Sequence, residues 1–121
     1  MSKLLFLVDD TDSILTIAAS LLEDDYRVLT MASAGKMLTL LAKKQPDLII
    51  LDIEMPEMNG FEAIAALKTN PDWQSIPVLF LTGYIDDDVR LKVKESGALD
   101  VLEKSEIGKN LLNKVNEILG F

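Results

Sequence analysis

Near its start the chain carries an unbroken apolar run, Leu4-Leu5-Phe6-Leu7-Val8. The device returns inside the stretches Asp47 to Asp52 and Ile76 to Leu81. A strand with one wet face alternates apolar and polar residues, so a run with no polar residue needs cover on both faces. That is the situation of a parallel sheet flanked by helices. Helical spacing follows each run. Ile14, Leu15, Ala18, Leu21 and Leu22 come after the first, with Asp12 or Ser13 as N-cap. Phe61, Ile64, Ala65 and Leu67 follow Gly60, and Val89 and Val93 face inward in a charged helix from Asp86 to Lys94.

Two further pairs complete the pattern. Tyr26 to Met31 reads as a more polar, edge strand, followed by a helix through Met37, Leu38, Leu40 and Leu41 that Gln45-Pro46 stops. Ala98 to Leu102 is a short fifth strand after Gly97, and Ile107, Leu111, Leu112, Val115, Ile118 and Leu119 give the clearest amphipathic helix. Strands alternating with helices imply right-handed crossovers. The expected fold is a doubly wound α/β domain with a five-stranded parallel sheet and five helices on both faces, one domain over residues 1–121.

Composition narrows the chemistry. Twelve Lys plus Arg stand against twenty Asp plus Glu, a net charge of −8, which repels nucleic-acid backbones. There is no Cys and no His. The soft ligands usual at zinc sites and a His general base are therefore missing from this chain, whereas an oxygen-ligated hard cation remains possible. No apolar run reaches the roughly 18 residues of a membrane span, and a cytoplasmic location is expected.

Ligands of open α/β sheets bind beyond the carboxyl ends of the strands. Four apolar runs deliver polar residues to that edge: Asp9 and Asp10, Asp52, Thr82, and Lys104 after Glu103. Singly, each has a plain structural reading as a cap, a turn or a solvated charge. Together, three carboxylates in one crevice repel, by on the order of 4 kcal/mol per pair at about 4 Å and an effective dielectric near 20. Mg²⁺ and Lys104 would offset that charge. A carboxylate beside Mg²⁺ and Lys, with a hydroxyl nearby, has the parts needed to accept a phosphoryl group.

At these residues the chain resembles the receiver domain of two-component response regulators. The resemblance rests on the Asp9-Asp10 pair, on "LDIEMPEMNG" with its Asp-x-x-Met-Pro-x-Met-x-Gly pattern, on "FLTG" and on "VLEKS", and it covers essentially the whole chain. It implies a flavodoxin-like strand order 2-1-3-4-5 and a phosphorylation-activated signalling switch, not a metabolic enzyme. Asp52 would be the phosphoacceptor, taking its phosphoryl group from a phosphohistidine on a sensor histidine kinase or histidine phosphotransfer protein. Asp10 would ligate Mg²⁺ directly and Asp9 through water, with Asp52 and the Glu54 backbone carbonyl. Thr82 and Lys104 would bind phosphoryl oxygens, and Glu54 and Tyr84 would tune the lifetime of the phosphate. Helices one and five would meet partners, among them a downstream protein target.

Two positions depart from the family pattern. Ser105 stands where Pro, often after a cis bond, commonly follows the Lys. A non-proline cis bond costs roughly 2.5–4 kcal/mol, so a trans bond is expected, with a different seat for Lys104 and Ser105 capping the last helix. Val101 replaces the usual aromatic, which puts the standard relay to the surface of helix four, strand five and helix five in question. A haloacid-dehalogenase phosphohydrolase is a competing reading of Asp10-x-Asp12, but the chain is short for its core plus cap and lacks the motif's Gly. An FMN carrier would need a Ser/Thr/Gly-rich first loop, and this one is acidic. The remaining alternative is a phosphate-independent, receiver-like binding module.

Overall fold

The computed structural model describes residues 2–120. Its elements run β1 (Leu4–Val8), α1 (Asp12–Leu22), β2 (Arg27–Met31), α2 (Ala34–Leu41), β3 (Leu48–Asp52), α3 (Gly60–Lys68), β4 (Val78–Thr82), α4 (Asp87–Ser96), β5 (Asp100–Glu103), a 3₁₀ turn (Lys104–Glu106) and α5 (Ile107–Leu119). Every strand pair is parallel, in the expected order β2-β1-β3-β4-β5. The chain steps outward from β1 in opposite directions to reach β2 and β3. This reversal opens the crevice beyond the carboxyl ends of β1 and β3.

The apolar runs are buried on both faces because helices cover both. Phe6, Val8, Ile49, Leu51, Val78 and Phe80 point to the side closed by α2, α3 and α4. Their neighbours Leu5, Leu7, Leu48, Ile50, Leu79 and Leu81 point to the side closed by α1 and α5. Strand alternation thus divides one run between two cores.

Several expected boundaries move, each for a hydrogen-bonding reason. Tyr26 lies outside β2 because its N–H still donates to the Leu22 carbonyl at the end of α1. Asp47 precedes β3 and fastens its start, its carboxylate accepting the Leu4 N–H at 2.8 Å. Pro77 has no N–H and stays outside β4, although its carbonyl accepts from Ile49 at 3.0 Å, and the strand gains Thr82 at its other end. β5 starts two residues later than Ala98 and extends to Glu103, which lies opposite Thr82. α4 runs two residues past Lys94, with Asp86 as its N-cap and Gly97 at φ 86° as its left-handed stop.

Three helix ends differ more. α1 is capped at Thr11, with no side-chain cap, rather than at Asp12 or Ser13. The Thr11 N–H is drawn back to Asp9 Oδ1 at 2.9 Å, so the helix begins one residue earlier. α2 ends at Leu41, ahead of Gln45-Pro46, as Lys43 and Lys44 both donate to the Leu40 carbonyl. Ser105 does not cap α5; it lies within the 3₁₀ turn, and Glu106 is the N-cap residue, with no side-chain cap bond.

The loop after Asp52 is fixed locally. Glu57 adopts φ 67°, and the Met58 N–H reaches the Pro56 carbonyl at 2.7 Å, a tight three-residue turn. Asn59 then opens α3 with a reciprocal capping box. Its side chain accepts the Glu62 N–H at 2.9 Å, and Glu62 accepts the Asn59 N–H at 3.0 Å. Asn59→Ala is expected to lose about 1 kcal/mol of stability, read from urea unfolding midpoints, with a slope unchanged from the parent.

Candidate functional site

Every residue expected at the sheet edge is brought together there. β1 ends one residue before Asp9, β3 ends on Asp52 and β4 on Thr82, and Lys104 follows β5 directly. Asp9, Asp52 and Thr82 are all 0% exposed, whereas Asp10 stands at the solvent rim. Lys104 threads between the two buried carboxylates, its Nζ lying 3.1 Å from Asp9 Oδ2 and 3.2 Å from Asp52 Oδ1. Lys104 thus reaches both carboxylates although Ser105 follows it. No peptide bond among the described residues is cis, and the 3₁₀ turn through Ser105 carries the lysine to the carboxylates without one.

The electrostatics of this cluster are unbalanced. Burial pushes the Asp52 carboxyl up to about 7, and the charges of Asp9 and Glu54 add to that against the opposing pull of Lys104. Burial also works against the Lys104 ammonium, but its bonds to Asp9 and Asp52 outweigh this and raise it above the ordinary lysine value. One ammonium faces two buried carboxylates and leaves negative charge uncompensated.

The structure also fits an oxygen-ligated cation. Carboxylate oxygens of Asp9, Asp10 and Asp52 lie within 4.8 Å of one another. Asp52 Oδ1 accepts the Glu54 N–H at 3.2 Å, but buried Asp52 Oδ2 has no hydrogen-bond partner among the described residues. A buried carboxylate oxygen left unpaired is costly. An all-oxygen donor set with net negative charge suits a hard divalent ion such as Mg²⁺.

Two contacts were not legible beforehand. The Thr82 hydroxyl donates to the Glu54 carboxylate, 3.0 Å from Oε2 and 3.1 Å from Oε1, and the Gly83 N–H donates to Oε1 at 3.3 Å. Sequence had marked Thr82 and Glu54 for separate roles and Gly83 only as part of a turn. No sequence signal pointed to them; they follow from the register that places β3 beside β4, with Asp52 opposite Leu81. Tyr84 is 60% exposed at the mouth of the neighbouring crevice.

Comparison with known proteins agrees with this fold. The family model for the response regulator receiver domain matches residues 5–116. Protein RcaC of Microchaete diplosiphon is 34% identical over 94% of this chain, which spans only 18% of that relative's length. Protein PilH of Pseudomonas aeruginosa is 29% identical, with 98% of both chains covered. The chemotaxis protein CheY4 of Vibrio cholerae superposes with a TM-score of 0.91 at 29% identity, covering 98% of this chain and 99% of that one.

Proposed function

The chain belongs to the response regulator receiver domain family, and from that premise we propose that it is a phosphorylation-activated switch whose acceptor is Asp52. The observation that carries the reading is a fully buried carboxylate with one oxygen unpartnered, an ammonium at 3.2 Å and two further acidic groups beside it.

In the proposed reaction an Asp52 carboxylate oxygen attacks the phosphorus of a phosphohistidine. The new bond is O–P, the bond broken is the donor's N–P bond, and the imidazole leaves to take its proton from solvent. The histidine belongs to a partner, a sensor kinase or phosphotransfer protein, because this chain has none. Asp9, Asp10, Asp52 and the Glu54 backbone carbonyl are the groups proposed to hold Mg²⁺. When bound, that ion supplies positive charge against the carboxylates and the phosphoryl oxygens. Lys104 adds a fixed ammonium on the same oxygens, and burial of Asp52 keeps competing water away. The role is regulatory: adding charge at Asp52 changes which partners Thr82 and Lys104 prefer, and the protein responds by the differential free energy of those contacts.

Partner contacts are assigned to α1, where Ile17 is half exposed, and to α5. Among the described residues no helix is long and apolar enough to cross a membrane, which accords with the proposed cytoplasmic location.

Intact mass after incubation with Mg²⁺ and acetyl phosphate tests the assignment. One phosphoryl adduct is expected on the parent, with none on Asp52→Ala and none in chelator. A parent without adduct, even with a phosphorylated kinase domain as donor, would overturn the switch and leave a phosphate-independent binding module.

A further inference from the structure

Three neutral donors at the carboxyl ends of β3 and β4 are already engaged. The Thr82 hydroxyl and the Gly83 N–H both end on the Glu54 carboxylate, and the backbone N–H of Glu54 is itself held by Asp52 Oδ1. The Glu54 side chain lies on the exposed rim, yet it collects the hydroxyl of buried Thr82 and the N–H of exposed Gly83, offering those donors what a phosphoryl group would offer them: anionic oxygens. The two cannot share the donors. A hydroxyl has one hydrogen to give, and a phosphoryl group bearing about −1.5 to −2 charge repels a carboxylate beside it.

We propose that Glu54 is an internal stand-in for the phosphoryl group, latching Thr82 and Gly83 in the unmodified protein, and that modification of Asp52 must expel its carboxylate to engage them. This rests on Asp52 being the acceptor. There is room for the displaced side chain. A crevice of about 520 Å³ opens beside Glu54 between Met55, Pro56, Tyr84 and Lys92. Lys92 is the cation there, its ammonium 3.1 Å from Asp88 and well exposed, so it can exchange partners at little cost. The latch also gives Thr82 a second state without an aromatic at position 101, where this chain has Val101.

The latch predicts coupling between two residues 28 positions apart. In the parent, Thr82 exchanges one anionic acceptor for another when a phosphoryl group arrives, so its hydroxyl gains little. Without Glu54 the same hydroxyl gains a full charge-assisted bond. The experiment is a double-mutant cycle on the binding of beryllofluoride, a phosphoryl stand-in, with saturating Mg²⁺, in the parent, Glu54→Ala, Thr82→Val and the double variant. Thr82→Val keeps the shape of the buried side chain. Glu54→Ala is expected to bind at least tenfold more tightly, and Thr82→Val to weaken binding at least tenfold more in the Glu54→Ala background than in the parent. The Gly83 amide resonance should move in Glu54→Ala before any beryllofluoride is added. Tighter binding with strictly additive effects would mean charge repulsion alone and would overturn the latch. Equal affinity of parent and Glu54→Ala, with the mass adduct present, overturns the latch and leaves the acceptor standing. No beryllofluoride binding in any variant together with no adduct overturns both.

Discussion

Replacing Asp52 by Asn is expected to stabilise the metal-free protein at pH 8, by on the order of 4 kcal/mol relative to the parent, and by less than half as much at pH 5. The direction follows from the raised carboxyl. Asp52 titrates near about 7 in the folded protein against an ordinary 3.8, so between those values the native state holds a proton that the unfolded chain has released. Stability then falls as pH rises through that window, and above about 7 the whole cost of an ionised, buried carboxylate is present. Most carboxylates behave oppositely, being stabilised as anions in the folded state. Asn keeps the size of the side chain and accepts from Lys104 and the Glu54 N–H, but has no charge to bury. The check is urea unfolding of parent and variant in chelator at pH 5 and pH 8, read as the difference between the two proteins so that other titrating groups cancel. Parallel pH profiles would sink the account. Mg²⁺ at pH 8 should close much of the gap by stabilising the parent, since a ligand that binds only the folded state raises stability with its concentration. An acceptor site that is unstable when empty is the expected signature of function built at the expense of stability.

A Gly60→Ala variant is expected to lose about 3 kcal/mol or more, and with it most of the capacity to be phosphorylated. A Cβ at this position would lie 2.6 Å from the Asp52 carbonyl oxygen, 2.9 Å from Ile53 Cα and 2.9 Å from Phe80 Cε1. Two of these atoms are backbone and cannot step aside. The third belongs to a buried ring held edge-on against Phe61, with centroids 5.1 Å apart. The first turn of α3 must therefore back away from β3, breaking the 2.8 Å bond from the Gly60 N–H to the Ile53 carbonyl and releasing the loop that positions Asp52. Gly83→Ala is the control. A Cβ there meets nothing within 4 Å, so the change should stay within about 0.5 kcal/mol. Denaturant midpoints for the two variants, with adduct formation measured on the same samples, test this. Comparable losses at Gly60 and Gly83 would show that backbone freedom, not close approach, explains the glycine at position 60.

Much of the architecture was legible because it depends on properties each segment carries by itself. An apolar run such as Leu48 to Leu51 has one low-energy placement, covered on both faces, and three such runs with two more polar strands, alternating with helices, leave few topologies. The acidic and basic residues of the site were legible too, since a strand that stops at the sheet edge delivers its next residue there. Segment ends were less legible. Asp47 and Tyr26 look like strand residues, yet their hydrogen bonds run to Leu4 and Leu22, and those partners exist only once the neighbouring elements are in place.

Sequence by itself determined which groups meet: Asp9, Asp10, Asp52, Thr82 and Lys104 each stand at the end of an apolar segment, and burial fixes where those ends lie. Only the tertiary structure decided which of them bond to which. Lys104 pairs with both Asp9 and Asp52 although Ser105 follows it, and Glu54 turns to Thr82 and Gly83 across the β3–β4 boundary. The reason is physical. Burial is summed over a segment and survives small errors of placement. A hydrogen bond is a choice among competing donors and acceptors within a few tenths of an ångström, and that choice is settled only after the strands have taken their register.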